Sequence, residues 1–317
     1  MLRNWRTTDL VDLGVLRVRG ADAETFLQGQ LSNDLARIGV GESLLAGYHN
    51  PQGRVIAVLR VLRLESQDFL GVLPRELVSL ACERLRKFVL RSRVTLSDDS
   101  DAWLVEGLQT ARGQARAAES PPASEGLPLP IHLHGPSARW LCVRPRSAAD
   151  APSADTDTDS DAESVAEARR DWRLQEIASG VAQIYASTSE KFVAQMLNLD
   201  LTSAVSLTKG CYTGQEVIAR AHYRGRVKRR MQRFLSLVPT ELAAGDSGRL
   251  ADGRSFTVIE AAQHSDGRCE FLAVAPLKAA DTSAEAEASE AGATSAEAPS
   301  TVAALAVQEL ALPYSLP

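Results

Sequence analysis

The stretch LLAGYHNPQGRVIAVLRVLRLES, residues 44–66, constrains the fold of this 317-residue chain more than any other. Asn50-Pro51-Gln52-Gly53 is a turn signal, and the arm after it alternates apolar positions through Val55, Ala57, Leu59, Val61 and Leu64. Two strand-like runs joined by such a turn form a hairpin, so the sheet it belongs to is antiparallel at this point. Upstream, VLRVRG reads as a half-buried strand. ADAETFLQGQL follows as a short helix that begins at Asp22 and carries Phe26 and Leu27 on one face. In PRELVSLACERLRKFVLRS, helical spacing joins Leu77, Leu80, Ala81, Leu85 and Phe88, a face suited to covering the sheet. WLVEGL and ARWLCVRP read as further strands, and Trp172 to Ser179 as a helix stopped at Gly180. Strands and helices mix without a regular βαβ repeat, which predicts an α+β fold.

After Arg230 the texture changes. MQRFLSLV, GRLADGRSFTVIEAAQ, CEFLAVAPL and VAALAVQELALPY are short strand-like runs separated by Gly, Asp and Pro, which predicts a small β-barrel or sandwich. The expected division is a body over residues 1–229 and a C-terminal domain over 230–317. Residues 109–126, 147–168 and 279–300 are rich in Ala, Ser, Asp, Glu and Pro and poor in large apolar side chains. Such segments bury too little apolar area to offset the entropy of ordering, so they are expected as mobile surface loops. They also hold much of the acid behind the net charge of −5. No apolar run approaches the roughly 20 residues that cross a bilayer, and the N-terminal residues carry charge rather than a signal-peptide apolar region, so the cytoplasm is expected. The four cysteines, Cys82, Cys142, Cys211 and Cys269, lie far apart without C-x-x-C or Cys/His spacing, which argues for free thiols and no resident metal.

TKGCYTGQEVIARAHYRGRVKRR, residues 208–230, holds the chemistry. Gly210 and Gly214 shape a turn before a helix starting at Gln215, which sets Cys211 near a helix N-terminus and beside Lys209. Cys211 is then either a reactive thiol favoured as thiolate, or a small buried side chain in a tight turn. Behind it come Arg220, Arg224, Arg226, Lys228, Arg229, Arg230 and Arg233, interleaved with His222 and Tyr223. Such a mixture either grips phosphates or carboxylates and stacks on a flat ring, or forms a solvated face.

KGCYTGQEVIAR with YRGRVKRRM close behind resembles the signature of the YgfZ family of folate-binding proteins, relatives of the glycine-cleavage T-protein. The resemblance continues in order through FLQGQLSND, GYHNPQGRVIAVLR, RLRKFVLRSRV, WRLQEIASGVAQI, KFVAQMLNLD and the terminal LPYSLP. It implies a T-protein-like (GcvT-like) fold: an intertwined α+β body around a central folate cavity, followed by a C-terminal β-barrel. It implies tetrahydrofolate as ligand, no permanently bound metal, mostly monomeric behaviour, and a role in assembly or repair of iron–sulfur clusters in clients such as radical-type tRNA-modifying enzymes. Cys211 matches the family's functional cysteine, with Lys209, Tyr212, Gly214, Gln215 and Glu216 as its motif neighbours. The expected folate-binding set is Asn33, Asp34, Arg54, Lys209, Tyr212, Gln215, Glu216, Arg220, Arg224 and Arg226. Asn33 and Asp34 could equally be a turn pair and Arg54 a hairpin cap.

One departure weakens transferase chemistry. Where the T-protein carries an acidic residue for the pterin in R-L-E-A-G, this chain reads I-A-S-G and places Ala178 there. A carboxylate pairs with adjacent N–H donors and alanine does not. An aminomethyl or one-carbon transferase is therefore the first rival, and a tRNA-binding module using the cationic run is the second.

Overall fold

The computed structural model describes residues 5–110, 129–133, 139–147, 150, 159–225, 227–278 and 302–317. Its chain order begins β1 (Trp5–Asp9), β2 (Leu13–Arg19) and α1 (Ala23–Gln30). The hairpin follows as β3 (Ser43–His49) and β4 (Val55–Glu65), then β5 (Asp68–Pro74), α2 (Arg75–Arg86) and β6 (Thr95–Asp98). These strands make a five-stranded antiparallel sheet in the order β3-β4-β5-β2-β6. β4 is buried on both faces over Val55–Leu59, not half-buried as its alternation suggests. It is a central strand sandwiched between other layers, and Ile56 and Val58 are as hidden as their neighbours. Phe88 corrects the reading of α2: it lies past the helix end and is 44% exposed, so it does not cover the sheet.

A second sheet joins β1 to β7 (Trp103–Thr110), β9 (Arg139–Pro145) and β8 (Leu129–Leu133). Leu13, Val15, Leu70 and Val72 of the first sheet meet Val105, Leu141 and Val143 of the second in one apolar cluster. α3 (Asp159–Ser179) starts thirteen residues before Trp172. Residues 159–168 are therefore helix and not the mobile loop that their composition suggests, because alanine and glutamate are strong helix formers and extend α3 backwards. Residues 111–128, 151–158 and 279–301 hold most of the other low-complexity sequence and lie outside the described residues.

α4 (Gln215–Arg224) leads into the last sheet: β10 (Arg229–Pro239), β11 (Ser247–Leu250), β12 (Ser255–Gln263), β13 (Arg268–Pro276), β14 (Val302–Leu305) and β15 (Val307–Leu310). The order β14-β11-β12-β13-β10-β15 puts two strands that are one residue apart in sequence at opposite edges. Only a sheet curled nearly shut can do this, and Phe234, Phe256 and Phe271 fill its interior. Its outer residues Met231, Ile259, Leu272 and Val274 join the main core of the five-stranded sheet. Among the described residues no helix is long and apolar enough to cross a membrane.

Candidate functional site

Cys82, Cys142 and Cys269 are buried and Cys211 is exposed. Burial pushes the thiols of Cys142 and Cys269 up, to about 12 and about 11, which makes them inert. The loop that carries Cys211 owes its shape to its two inward neighbours. Lys209 Nζ donates to the carbonyls of Gln28, Leu31 and Asn33 at 2.8, 2.7 and 2.7 Å, and sits 5.3 Å from the centre of the Tyr212 ring. Gln28 and Leu31 end α1, where carbonyls lack helical partners and a cation is favoured. Burial lowers the Lys209 pKa to about 8, so the ammonium is still charged at pH 7. Its charge is engaged by α1, which corrects the expectation that it serves the thiol of Cys211. Tyr212 is buried too. Its hydroxyl has no partner among the described residues, and its ring lies 6.3 Å from His49, which burial holds neutral with a pKa near 3. Thr213 N–H adds a bond to Gly29 O.

The end of the loop is fixed by two glycines. Gly214 precedes α4 with φ 83°, and a Cβ there would meet Asn50 O at 2.6 Å and Gly53 Cα at 3.1 Å. Gly53, with φ 70°, faces Val217 as closely. The hairpin turn and the start of α4 thus touch backbone to backbone, and a side chain at either position would separate them. Asn50 closes the turn by accepting from Gln52 and Arg54 N–H, and donates to Glu190, which also holds Arg84. The Arg54 guanidinium donates to Lys191 O at 2.7 Å, which ties the turn to a segment distant in sequence.

The cationic run divides. Arg220, Arg224 and Lys228 are exposed, Glu216 is exposed and Gln215 half-exposed, and Arg226 lies outside the described residues. Arg229 donates to Val274 O and Arg233 pairs with Glu270. Arg230 grips Asp200 through two bonds at 3.0 and 2.9 Å and reaches Gln195 O and Asn198 Oδ1. The second half of the run holds the fold together and is not offered to a ligand.

A cavity of about 310 Å³ opens between the start of β3, the end of α3 and the segment around Thr202. Asn33 is its best-anchored polar wall: its amide nitrogen donates to Leu45 O and Ser203 O, and its oxygen accepts from Asp34 N–H. Asp34 itself is not in the wall. It caps the turn at Leu35–Arg37 and accepts from Gln28, the local role its residue type favours. Arg37, Ser43 and Arg60, unremarked in the sequence, do line the cavity. Behind Arg60 lies Glu176, bonded to Arg60 at 2.5 Å and to Arg139 at 2.6 Å. Burial opposes its charge, yet the two guanidiniums hold its carboxyl below the usual range. The carboxylate missing at Ala178 is thus present two residues earlier, turned into an ion triad. The signal for it was an acidic side chain at helical spacing from Trp172.

No family model matches the chain. It is 31% identical over 274 residues to the tRNA-modifying protein YgfZ of Enterobacter sp. (strain 638), covering 82% of each chain. It is 31% identical over 278 residues to the protein of that name from Klebsiella pneumoniae (strain 342), with 82% and 81% covered. To that of Escherichia coli (strain K12 / DH10B) it is 30% identical over 274 residues, with 82% of each covered. Among solved structures, the glycine cleavage system aminomethyltransferase T of Bartonella henselae superposes with a TM-score of 0.62 at 16% identity, covering 86% of this chain and 78% of that one. That likeness establishes the fold expected above, and the relatives establish the family: the chain belongs to the YgfZ family of tRNA-modifying proteins.

Proposed function

We propose that the protein binds a reduced folate in the 310 Å³ cavity and presents Cys211 to iron–sulfur clients, supporting assembly or repair of their clusters. One observation carries this reading. Lys209, two residues from Cys211, donates to the carbonyl of Asn33, whose side chain is part of the cavity wall. Occupancy of the cavity and the posture of the thiol loop therefore share a residue.

The cavity has the size of a small ligand site. It offers hydroxyls at Ser43 and Ser203 and the guanidiniums of Arg37 and Arg60 between apolar walls at Leu44, Leu45 and Val181. Hydroxyl and amide oxygens suit the N–H edge of a pterin, and guanidiniums suit a carboxylate. A bound reduced folate would supply one-carbon or reducing chemistry. The residues of this chain bind and orient it and keep the Asn33 wall rigid. Cys211 acts outside, on the client. A single thiolate cannot hold a cluster, so contact with one is transient or shared with the client's own ligands. The tRNA-binding alternative loses weight because Arg229, Arg230 and Arg233 are engaged internally.

Calorimetric titration with tetrahydrofolate under reducing conditions tests the first half: saturable binding that survives Cys211→Ala and weakens at least about tenfold in Asn33→Ala is expected. Complementation of a deletion strain, read as activity of an iron–sulfur tRNA-modifying enzyme, tests the second. Absence of binding by the unaltered protein overturns the folate reading, and full rescue by Cys211→Ala overturns the thiol reading.

A further inference from the structure

A second cavity, of about 220 Å³, has Glu176 in its wall and is built by the turn between β1 and β2, one face of α3, and Glu260 on β12. Trp172, Arg173 and Glu176 lie three, four and seven residues after Arg169, so all look the same way from α3. Glu260 closes the inner end and is 2% exposed. One of its carboxylate oxygens accepts from the Tyr185 hydroxyl at 3.3 Å, while the other is buried with no partner among the described residues. A buried carboxylate oxygen without a donor is costly, and Glu260 is one of the residues that line the cavity. Burial pushes the Glu260 carboxyl up to about 7, against the pull of the Arg173 and Arg60 guanidiniums.

The outer part of the cavity has the opposite polarity. Arg173 donates to Tyr185 and Asp12, and Arg169 to the Asp9 carbonyl, with the Asp9 carboxylate 4.0 Å away. A guanidinium has five N–H donors, so both keep donors in reserve. Their side chains are 35% and 41% exposed, which sets them nearer the mouth than Glu260, and Leu10, Leu13 and Trp172 supply apolar wall. We propose that this cavity binds a small zwitterionic amino acid, its ammonium against the unpartnered Glu260 oxygen and its carboxylate against Arg173 and Arg169. Neither an amine nor a carboxylic acid alone meets both poles.

The inference is independent of the folate reading and is tested without folate. Glycine, β-alanine, methylammonium chloride and sodium acetate are titrated separately into the full-length protein at pH 8, with the Trp172 indole N–H resonance reporting occupancy. The expected result is saturable binding of one or both amino acids, at least about tenfold weaker in Glu260→Gln, a near-isosteric change that retains the fold. Arg169→Gln, at an exposed position, should weaken amino-acid binding several-fold without altering the response to methylammonium. No saturation by either amino acid overturns the proposal, as does binding indifferent to Glu260→Gln. Methylammonium binding as tightly as the amino acids overturns the arginine pole.

Discussion

Two parts of one continuous stretch of sequence are put to opposite uses. In Lys209–Gly214 the side chains on either side of Cys211 turn inward and the thiol turns out. In Arg220–Arg233 the first cations face solvent and the last are drawn into the protein. In the sequence the first part reads as a shaped turn with a thiol either reactive or buried, and the second as either an anion grip or a solvated face. The difference teaches that a charge close to a functional group in sequence can be the scaffold holding that group, and that direction, not residue type, decides which.

The comparison breaks most sharply at Arg230. Replacing it with Met leaves Asp200, whose side chain is 9% exposed, without its partner, and urea unfolding should show a loss of about 3–5 kcal/mol. Glu260 supplies the converse, an inward charge with no partner for one oxygen. Its folded carboxyl titrates near 7 against 4.5 unfolded, so between those values the unfolded chain sheds its proton first and stability falls as pH rises. Below about pH 4.5 both states are protonated and Glu260→Gln should be nearly neutral, whereas above about pH 7 it should stabilise by up to about 3 kcal/mol. Equal effects at pH 4 and pH 8 would show that Glu260 is not desolvated. Lys209→Met removes the donor shared by three carbonyls. A loss of about 2 kcal/mol is expected, with faster hydrogen exchange at the end of α1. At the outward positions the effects on stability should shrink below about 0.5 kcal/mol: Cys211→Ala and Arg224→Glu should unfold with the unaltered chain. Cys211→Ala should nonetheless fail to support iron–sulfur clients, and Arg224→Glu separates a client-facing cation from a solvated one by its effect on complementation.

What could be read in advance follows from range. The hairpin at Asn50–Gly53, the start of α1 after Asp22 and the start of α4 at Gln215 are set by residues within a few positions of one another, and each stands where its local signals put it. α3 runs longer than expected because residues 159–168 combine low complexity with high helix propensity. Periodicity alone puts Phe88 on a buried face, although the helix stops before it. The charge pairs were not readable at all. Arg230 meets Asp200 across 30 residues, and Arg60 meets Glu176 across 116, so their partners exist only once the sheets are stacked. The same holds for the cavity: Asn33 was named from its motif, while Ser43, Arg37 and Arg60 came into view with the fold.

The clasp of Lys209 on the end of α1 makes the loop its own chemical gauge. A thiol-selective reagent finds Cys211 in the closed protein, whereas an amine-selective one reaches Lys209 only when the three carbonyls let go. Dual labelling followed by mass spectrometry therefore counts, in a single sample, how many molecules have their thiol on display and how many have let the loop swing free. Adding a ligand for the Asn33 cavity should change the second number and leave the first alone.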